Sequence, residues 1–321
     1  MAFYDGTKLL SLLDIEKKKP EIYMCTTNRS AGKTTYFSRL LVNKWKQNKE
    51  KFCILYRYSY ELDDCANKIF KDIQTLFFQN DEMSDVSKTR GLYHELYFND
   101  ELCGYALAIN SAEAYKRNSH LFSDISRIFL DEFQSEQSHY CPMEIEKFQS
   151  LHITIARGGG KIVRYVPVYM ASNPVTLLNP YYTAMNISDR LQEKDIYFRG
   201  KGFVLEQGFN REAADAQQDS AFNRAFSDTS NSQSMAYDKQ NIYLHDNKIF
   251  IEQPKGRSQY LSTISYMGQE FGLKAYLDSG YIYCDTKPDK SHKNKICTTT
   301  NDMRINYVML AKSDMFLLQL R

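Results

Sequence analysis

The sequence predicts an α/β protein in which a mainly parallel sheet with helices on both faces precedes a smaller domain. Short apolar runs alternate with helical or loop stretches as far as residue 207, and this alternation is typical of parallel sheets. A segment rich in Ala, Gln, Ser, Asn and Asp follows, and short alternating runs begin at Asn241. These shifts predict a first domain over 1–207, a connector over 208–240 and a second domain over 241–321.

Each predicted element rests on its residue pattern. Compact or alternating apolar runs predict strands, apolar positions three or four residues apart predict helices, and polar runs predict loops. In the first domain the elements are a helix over Leu9–Lys19 ended by Pro20, a strand over Ile22–Cys25, a helix over Tyr36–Lys46, a strand over Phe52–Tyr56, a helix over 61–79, a loop over Asp81–Arg90, a hairpin of Leu92–Phe98 and Gly104–Asn110, a strand from Ser126, a helix over Glu144–Ile155 and a strand over Ile162–Ala171. In the second domain an antiparallel meander is expected from Ile242–Leu244, Lys248–Ile251, Leu261–Met267, Gly272–Leu277 and Tyr281–Asp285.

The composition is that of an ordinary soluble globular protein. Of the 321 residues, 43% are hydrophobic and 25% are charged, and the net charge is +2. That charge creates no overall field toward nucleic acid, so contact with DNA has to come from local patches. No apolar run approaches the roughly 18–20 residues of a membrane span, and the N-terminus lacks the order of a signal peptide. The seven cysteines contain no C-x-x-C pair, which indicates reduced thiols in a cytosol and argues against a zinc site.

The chain is organised around Tyr23–Thr35, which reads YMCTTNRSAGKTT. An apolar strand, a polar loop, the sequence GKTT and a helix follow one another in the order that a phosphate-binding loop needs. In such a loop backbone N–H groups and the helix N-terminus hold the phosphates, Lys33 reaches the β- and γ-phosphates, and Thr34 gives its hydroxyl to Mg²⁺. The predicted nucleotide-binding residues are Thr27, Asn28, Arg29, Ser30, Ala31, Gly32, Lys33, Thr34 and Thr35.

One position departs from the pattern G-x-x-x-x-G-K-[ST]. Its first residue is glycine, whereas this chain has Thr27, and a Cβ there narrows the backbone angles at the start of the loop. Arg29 favours the phosphate-loop interpretation, because a cation inside the loop can lie along the phosphates. The alternative, on these few residues alone, is a helix start that matches the motif by chance.

Two adjacent carboxylates, Asp131 and Glu132, follow the apolar strand that starts at Ser126. At the carboxyl end of a strand both can border one crevice, the usual ligand position in open α/β sheets. We expect Asp131 to hold Mg²⁺ and Glu132 to polarise the attacking water; the alternative is a solvated strand end. The spacing from Lys33 to Asp131 (131 − 33 = 98) leaves room for an intervening strand, which suits additional-strand ATPases. Asn173 ends the next strand and is a candidate contact for the γ-phosphate, or else belongs to an Asn-Pro turn.

Four further cationic residues are candidates. Arg157 precedes three glycines, so its side chain is a candidate arginine finger for a neighbouring subunit, or else a surface arginine at a helix end. Arg164 competes for the finger role. Lys116-Arg117 precedes the carboxylate-bearing strand and is a candidate for contact with DNA phosphates in a ring channel, or else a solvated charge pair. The second domain shows no acid cluster of the kind a two-metal nuclease needs, so we expect it to be non-catalytic.

Together these motifs resemble the DNA encapsidation ATPases of small tailed phages, the phi-twenty-nine-type packaging motors. The resemblance rests on TNRSAGKTT, LYRYSYEL, FLDEF, the Arg-Gly-rich turn and ASNP in that order, continues through SQYLSTISYMG and YIYCDTKPD, and so covers most of the chain. It implies an additional-strand ATPase domain, a short linker and an RNase H-like second domain without nuclease activity. It further implies ATP and Mg²⁺ as ligands, and a pentameric ring that moves double-stranded DNA at the portal vertex of a procapsid in the host cytoplasm. A structural RNA is a further partner that the resemblance suggests.

The resemblance also assigns roles by position. Lys33 and Thr34 match its Walker A pair, Asp131 and Glu132 its Walker B pair, and Arg157 its trans-acting finger. Ser59 stands where the family member compared has a lysine that acts across the interface, so Arg57 or another cation is expected in that role. The chain ends earlier than that relative, so a terminal helix is expected to be absent.

Two alternatives to a packaging motor stay open at this point. One is a nucleotide-binding clamp without hydrolysis, which Thr27 alone supports. The other is a terminase with an active nuclease.

Overall fold

In the computed structural model the described residues are 4–157 (without the side chains of 64–67), 163–188, 190–191, 195–209, 215, 254–266, 268–297 and 299–309. The chain forms two compact units. The first comprises Met1–Leu177 and Leu191–Asp246, and the second comprises Leu178–Arg190 and Asn247–Arg321. The second unit therefore includes a short segment from within the range predicted as the first domain.

The first unit contains nine described strands and five described α-helices. The strands are β1 (Ile22–Thr26), β2 (Lys51–Tyr56), β3 (Met83–Lys88), β4 (Tyr93–Phe98), β5 (Glu101–Ala108), β6 (Ile125–Asp131), β7 (Val168–Ser172), β8 (Tyr197–Gly200) and β9 (Phe203–Gln207). The helices are α1 (Thr7–Ser11), α2 (Lys33–Asn48), α3 (Tyr60–Phe77), α4 (Ala112–Lys116) and α5 (Glu144–Ile155), with 3₁₀ turns over Ile109–Ser111 and Ser119–Phe122.

These nine strands form one sheet in the order β3-β4-β5-β2-β6-β7-β1-β9-β8. The six strands from β5 to β9 in that order pair in parallel, and antiparallel strands lie at both edges. The mainly parallel sheet predicted from the sequence is thus confirmed. β7 lies between β1 and β6, so the strand before the GKTT loop and the strand before the two carboxylates are separated by one strand.

Helix α2 packs on this sheet through an apolar stripe. Phe37, Leu41 and Trp45, spaced four residues apart, are buried, as expected for one face of an amphipathic helix. The Phe37 ring stacks on Tyr169 of β7 with 5.5 Å between ring centroids, and it lies 5.6 Å from Phe129 of β6. This packing fixes the start of α2 above the carboxyl ends of the central strands.

In the described part of the second unit, five strands form one sheet. Its strands are β10 (Ser258–Tyr266), β11 (Gln269–Tyr276), β12 (Tyr281–Asp285), β13 (Lys295–Cys297) and β14 (Val308–Met309), in the order β12-β11-β10-β13-β14. The first three form an antiparallel meander, as predicted, whereas β13 and β14 add in parallel. The strands β13 and β14 lie beyond the predicted meander and were not predicted from the sequence. Helix α6 (Pro180–Ala184) belongs to this unit, and the Asn179 side chain accepts a hydrogen bond from the Tyr182 N–H at 2.9 Å.

Two of the predicted elements in the first unit are wrong. The helix over Leu9–Lys19 is only the short α1, because the buried carboxylate of Asp14 accepts backbone hydrogen bonds from Glu16, Lys18 and Gly202 and turns the chain. The loop over Asp81–Arg90 contains β3, an edge strand in which only Met83 is buried. A strand with so little buried surface gives no apolar run to recognise.

Other predicted elements shift or lie outside the described residues. The strand over Ile162–Ala171 begins only at Val168, and β8 and β9 were not predicted. The strands over Ile242–Leu244 and Lys248–Ile251, and most of the connector over 208–240, lie outside the described residues. The helix over Glu144–Ile155 is confirmed to the residue.

Candidate functional site

The loop between β1 and α2 has the backbone that a phosphate-binding loop requires. β1 ends at Thr26 and α2 begins at Lys33. Gly32 immediately before the helix has φ = 91° and Ser30 has φ = 59°. At φ = 91° a side chain is strained, so the glycine of GKTT is required by the turn itself. The loop thus delivers the N-terminus of a 16-residue helix to the carboxyl edge of the sheet, which is a favourable position for an anion.

Lys33 is the buried cation of the site. Its Nζ donates to Thr27 O at 2.9 Å, Thr27 Oγ1 at 3.0 Å, Asn28 O at 3.1 Å and Asn173 Oδ1 at 3.1 Å. Burial lowers the pKa of this ammonium, and the nearby acidic groups, Asp131 and Glu132 among them, oppose that effect. Asn173, which the sequence offered either as a phosphate contact or as a turn residue, therefore reaches the same ammonium as the loop.

Thr34 and Asp131 form the part of the site suited to a divalent cation. Thr34 Oγ1 donates to Asp131 Oδ2 at 2.8 Å. Burial raises the pKa of Asp131 to about 6, with the Glu132 charge acting in the same direction and the Thr34 hydrogen bond opposing it. One hydroxyl and one carboxylate, with the remaining positions open to phosphate and water oxygens, fit what Mg²⁺ requires. The residues present therefore suit the metal that the sequence predicted for them.

Glu132 follows β6 in a left-handed backbone conformation, with φ = 51°. Its side chain is exposed, whereas that of Asp131 is partly covered. The turn that this conformation makes brings both carboxylates to the same cleft. A non-glycine residue at positive φ costs free energy, and such strain is concentrated at functional sites.

The cleft has a volume of about 810 Å³, within the range of small-molecule sites. Arg29 lies on its wall and pairs with Glu136, which belongs to the loop after β6. Among the remaining predicted loop residues, Ser30, Gly32 and Thr35 also line the cleft. Ala31 is buried, and its carbonyl accepts a hydrogen bond from the Tyr4 N–H at 2.7 Å.

Arg57 does not fit the role of a cation offered to a neighbouring subunit. Its Nε donates to both carboxylate oxygens of Glu144 at 2.9 and 3.1 Å, and its Nη2 donates to the carbonyls of Glu132 at 3.2 Å and Phe133 at 3.0 Å. The side chains of Arg57 and Glu144 are 10% and 1% exposed. This guanidinium is therefore an internal support for the backbone that carries Glu132. That Arg57 or another cation acts across the subunit interface in place of the lysine at Ser59 stays a prediction.

Arg157 lies near the amino-terminal ends of the central strands, whereas Lys33 lies at their carboxyl ends. It pairs with Val163 in an isolated antiparallel bridge just beyond α5, and its side chain is exposed. Next to it, Arg164 donates to the carbonyls of Ile125 at 2.9 Å and Ile155 at 2.8 Å. Ile125 begins β6, so this end of the sheet is about 20 Å from Asp131 along a seven-residue strand. Arg157 is therefore remote from the cleft of its own subunit, and Arg164 is held as a structural support rather than free to act as a finger.

Lys116 and Arg117 lie on a helix end rather than in the loop that the sequence predicted. Lys116 is the last residue of α4 and Arg117 follows it. Lys116 pairs with Glu113 one turn earlier, at 2.6 Å, and both basic side chains are exposed. Neither lines the cleft around Lys33.

Sequence reasoning missed two residues that support the site. Glu144, at the start of α5, is buried beneath Arg57 and also accepts the Cys141 N–H at 2.8 Å. Gln134 receives backbone N–H groups of Val175 and Thr176 at 3.0 Å each, which holds the chain just beyond Asn173. An acidic residue such as Glu144 in the first turn of a predicted helix indicates only a helix start. Nothing in the neighbouring sequence shows that its partner is Arg57, 87 residues away.

Within the described residues, no group of three or more His, Cys, Asp or Glu side chains is placed to hold a metal ion by itself. None of the helices in this part of the chain combines the length and apolarity that a bilayer crossing needs.

Comparison with known proteins places the chain among phage packaging proteins. A family model described as Podovirus DNA encapsidation protein (Gp16) matches residues 2–319. The DNA packaging protein of Bacillus phage phi29 is 25% identical over 311 residues, which cover 96% of this chain and 86% of that protein. The DNA packaging protein of Bacillus phage B103 is 23% identical over 287 residues, which cover 88% of this chain and 83% of that protein.

Solved structures give the same fold. The phi29 viral genome packaging motor assembly matches with a TM-score of 0.63 at 24% identity, covering 100% of this chain and 91% of that chain. The crystal structure of the N-terminal domain of the phi29 DNA packaging ATPase matches with a TM-score of 0.51 at 23% identity, covering 65% of this chain and 97% of that chain. At these identities the likeness shows the fold, and the chemistry of this chain has to be argued from its own residues.

Proposed function

The chain belongs to the family of podovirus DNA encapsidation proteins, and on that premise we propose that it is an ATP hydrolase that drives double-stranded viral DNA into a procapsid. The observation that carries the proposal is the convergence of Lys33, Thr34, Asp131, Glu132 and Asn173 on one cleft at the carboxyl edge of a parallel sheet. Such an edge is the usual ligand position in open α/β sheets. The separation of β1 from β6 by β7 supports the additional-strand class.

Each residue has a role that its surroundings support. The N-terminus of α2 and the loop N–H groups bind the triphosphate, and Lys33 leaves its present acceptors for the β- and γ-phosphates. Thr34 and Asp131 would hold Mg²⁺, which neutralises phosphate charge when bound. Glu132 accepts a proton from the attacking water. Asn173, already bonded to Lys33, is placed to contact the γ-phosphate.

Arg157 acts on a neighbour's nucleotide rather than its own. Its exposed position near the amino-terminal ends of the central strands supports this, because a group so far from its own cleft contributes to hydrolysis only across a subunit contact. A ring of identical subunits, pentameric as the resemblance implies, supplies that contact at every site. The exposed Lys116 and Arg117 contact DNA phosphates without reading bases.

The wider assignment follows the family. The ring works at the portal vertex of a procapsid in the host cytoplasm, and a structural RNA is a further partner. Residues 1–207 form the ATPase domain, except Leu178–Arg190, which belong to the second unit. Residues 208–240 form the connector, and 241–321 form an RNase H-like domain without nuclease activity. The mixed sheet of β10–β14 supports this last assignment only at the level of an α/β or α+β class.

The decisive experiment compares ATP hydrolysis by the full chain with and without double-stranded DNA. We expect DNA to stimulate ATP hydrolysis by the parent protein, and we expect Glu132→Gln to lose at least about a hundredfold in rate, the lower end of what a general base contributes. Glu146→Gln, which changes an exposed carboxylate on α5, serves as the matched control and should hydrolyse ATP like the parent. Equal, negligible rates for parent and Glu132→Gln would favour a nucleotide-binding clamp. Cleavage of plasmid in Mn²⁺ would instead identify an active terminase nuclease.

A further inference from the structure

Thr27 occupies the position at which the phosphate-loop pattern has glycine, and its side chain makes contacts that glycine lacks. The residue is 1% exposed. Its Oγ1 accepts a hydrogen bond from Lys33 Nζ at 3.0 Å and donates its own hydrogen to Asn28 O at 3.2 Å. The hydroxyl therefore uses both its acceptor and its donor capacity inside the loop.

Lys33 is satisfied within the protein by these contacts. Its ammonium has three hydrogens and four acceptors within 3.1 Å, two of which belong to Thr27. A buried ammonium without acceptors is costly, so these bonds stabilise the arrangement in which no phosphate is bound. A triphosphate that takes Lys33 has to replace them.

The Thr27 side chain is held in this orientation from its other side. A Cβ built on Gly208 would lie 2.8 Å from the Thr27 methyl carbon, so the methyl group packs against the glycine that follows β9. The Gly208 N–H donates to Thr26 O at 2.8 Å and keeps that segment in place. With the methyl group fixed there, the hydroxyl is directed toward Lys33.

We propose that Thr27 is a positioning residue whose hydroxyl holds the Lys33 ammonium in the nucleotide-free protein and thereby weakens the binding of a nucleoside triphosphate. This rests on the proposed function only in that Lys33 binds the phosphates. The hydroxyl competes with the phosphates for the same ammonium. Removing it destabilises the free state more than the bound state, so the affinity for ATP increases.

The test is the equilibrium Kd of the full chain for ATP with Mg²⁺, measured by calorimetry for three variants. Thr27→Val keeps the branched shape without the hydroxyl, Thr27→Ala removes the hydroxyl and methyl groups together, and Thr27→Ser keeps the hydroxyl. We expect Kd to fall by about threefold in the valine and alanine variants. The change is smaller than the loss of a whole hydrogen bond to a charged group, because Thr27 O, Asn28 O and Asn173 Oδ1 still accept from Lys33. The serine variant keeps the hydroxyl without the methyl group that orients it, so its Kd should lie between that of the parent and that of the alanine variant.

The direction of the change separates this role from a merely structural one. Damage to the loop weakens binding, whereas release of Lys33 tightens it, so unchanged or weaker binding by the valine and alanine variants overturns the proposal. If valine prevents folding, as judged by circular dichroism, the alanine variant decides. A parent protein that binds no ATP, or a Lys33→Ala variant that binds as well as the parent, would instead refute the proposed function. Loss of binding in Lys33→Ala with no gain in Thr27→Val refutes only this inference.

Discussion

The hydroxyl of Thr34 donates a hydrogen bond to Oδ2 of Asp131 at 2.8 Å, although 97 residues separate the two in sequence. The contact joins the first turn of α2 to the carboxyl end of β6. It brings two oxygen atoms of the kind that Mg²⁺ prefers within reach of one small cation. The sheet order, with β7 between β1 and β6, makes this meeting possible.

The first prediction concerns this pair. Thr34→Val removes the hydroxyl, and we expect it to weaken ATP binding in Mg²⁺ by at least about tenfold, as loss of groups around a metal commonly does. ATP titrations with Mg²⁺ and with EDTA measure the effect, which should be small in EDTA. Thr34→Ser is the matched control and should bind like the parent. An equal loss with and without Mg²⁺ would contradict a metal-holding role.

The second prediction uses the distance between Arg157 and the cleft of its own subunit. Arg157→Ala and Glu132→Gln should each be inactive alone, because every interface then lacks one group. A mixture of the two should regain ATP hydrolysis, since about one interface in four combines an intact arginine with an intact glutamate when identical subunits mix at random. ATP turnover of mixtures, at concentrations where the parent's specific activity no longer rises, is the measurement. The control mixes Arg157→Ala with the double variant, which can form no intact interface; activity there, or none in the first mixture, would refute a trans-acting arginine.

The third prediction concerns the buried ion pair of Arg57 and Glu144. Arg57→Ala leaves the buried Glu144 carboxylate without the guanidinium charge that offsets its own, and breaking a buried ion pair in this way commonly costs about 3–5 kcal/mol of folding free energy. Urea unfolding should show that loss. Arg57→Met with Glu144→Leu removes both charges and should recover most of the stability, while ATP hydrolysis stays low because the Glu132 carbonyl has lost its support. Full activity in the double variant would show that the pair serves stability alone.

The fourth prediction concerns pH and Glu206. Burial raises the pKa of this carboxyl, and hydrogen bonds from the Tyr4 and Tyr197 hydroxyls oppose the shift without cancelling it. Above the ordinary value of 4.5, the folded chain therefore binds more protons here than the unfolded chain does. The free energy of unfolding must therefore fall as pH rises from 4.5 through the raised pKa that Glu206 has in the folded chain. Glu206→Gln is always neutral, so its thermal midpoint should fall less steeply over the same interval; parallel curves for parent and variant would contradict the assignment.

The central sheet and the phosphate loop were predictable because their signals are local. Compact apolar runs marked β1, β2 and β6, and the GKTT sequence with a following helix marked the loop. The edge strand β3 gave no such signal, since an edge strand over Met83–Lys88 needs only one buried side chain. The helix predicted after Leu9 failed because the Asp14 side chain competes for the backbone hydrogen bonds, with one of its partners, Gly202, far along the chain.

The supporting residues of the site were unpredictable for a related reason. Arg57 looked like a free cation at a strand end, and only the fold brings Glu144 to it from 87 residues away. Thr27 looked like a defect in a motif, whereas its hydroxyl contacts the motif's own lysine. Sequence patterns report which chemistry is present, but ion pairs between distant elements depend on topology.

The left-handed backbone at Glu132 has a consequence for how this position tolerates change. A side chain at φ = 51° costs free energy that glycine avoids. Glu132→Gly should therefore raise the thermal midpoint slightly while abolishing turnover of ATP. A screen that selected variants for heat resistance alone would therefore favour glycine here and would discard the proposed catalytic carboxylate. Thermal stability and ATP hydrolysis thus make opposite demands on this one position.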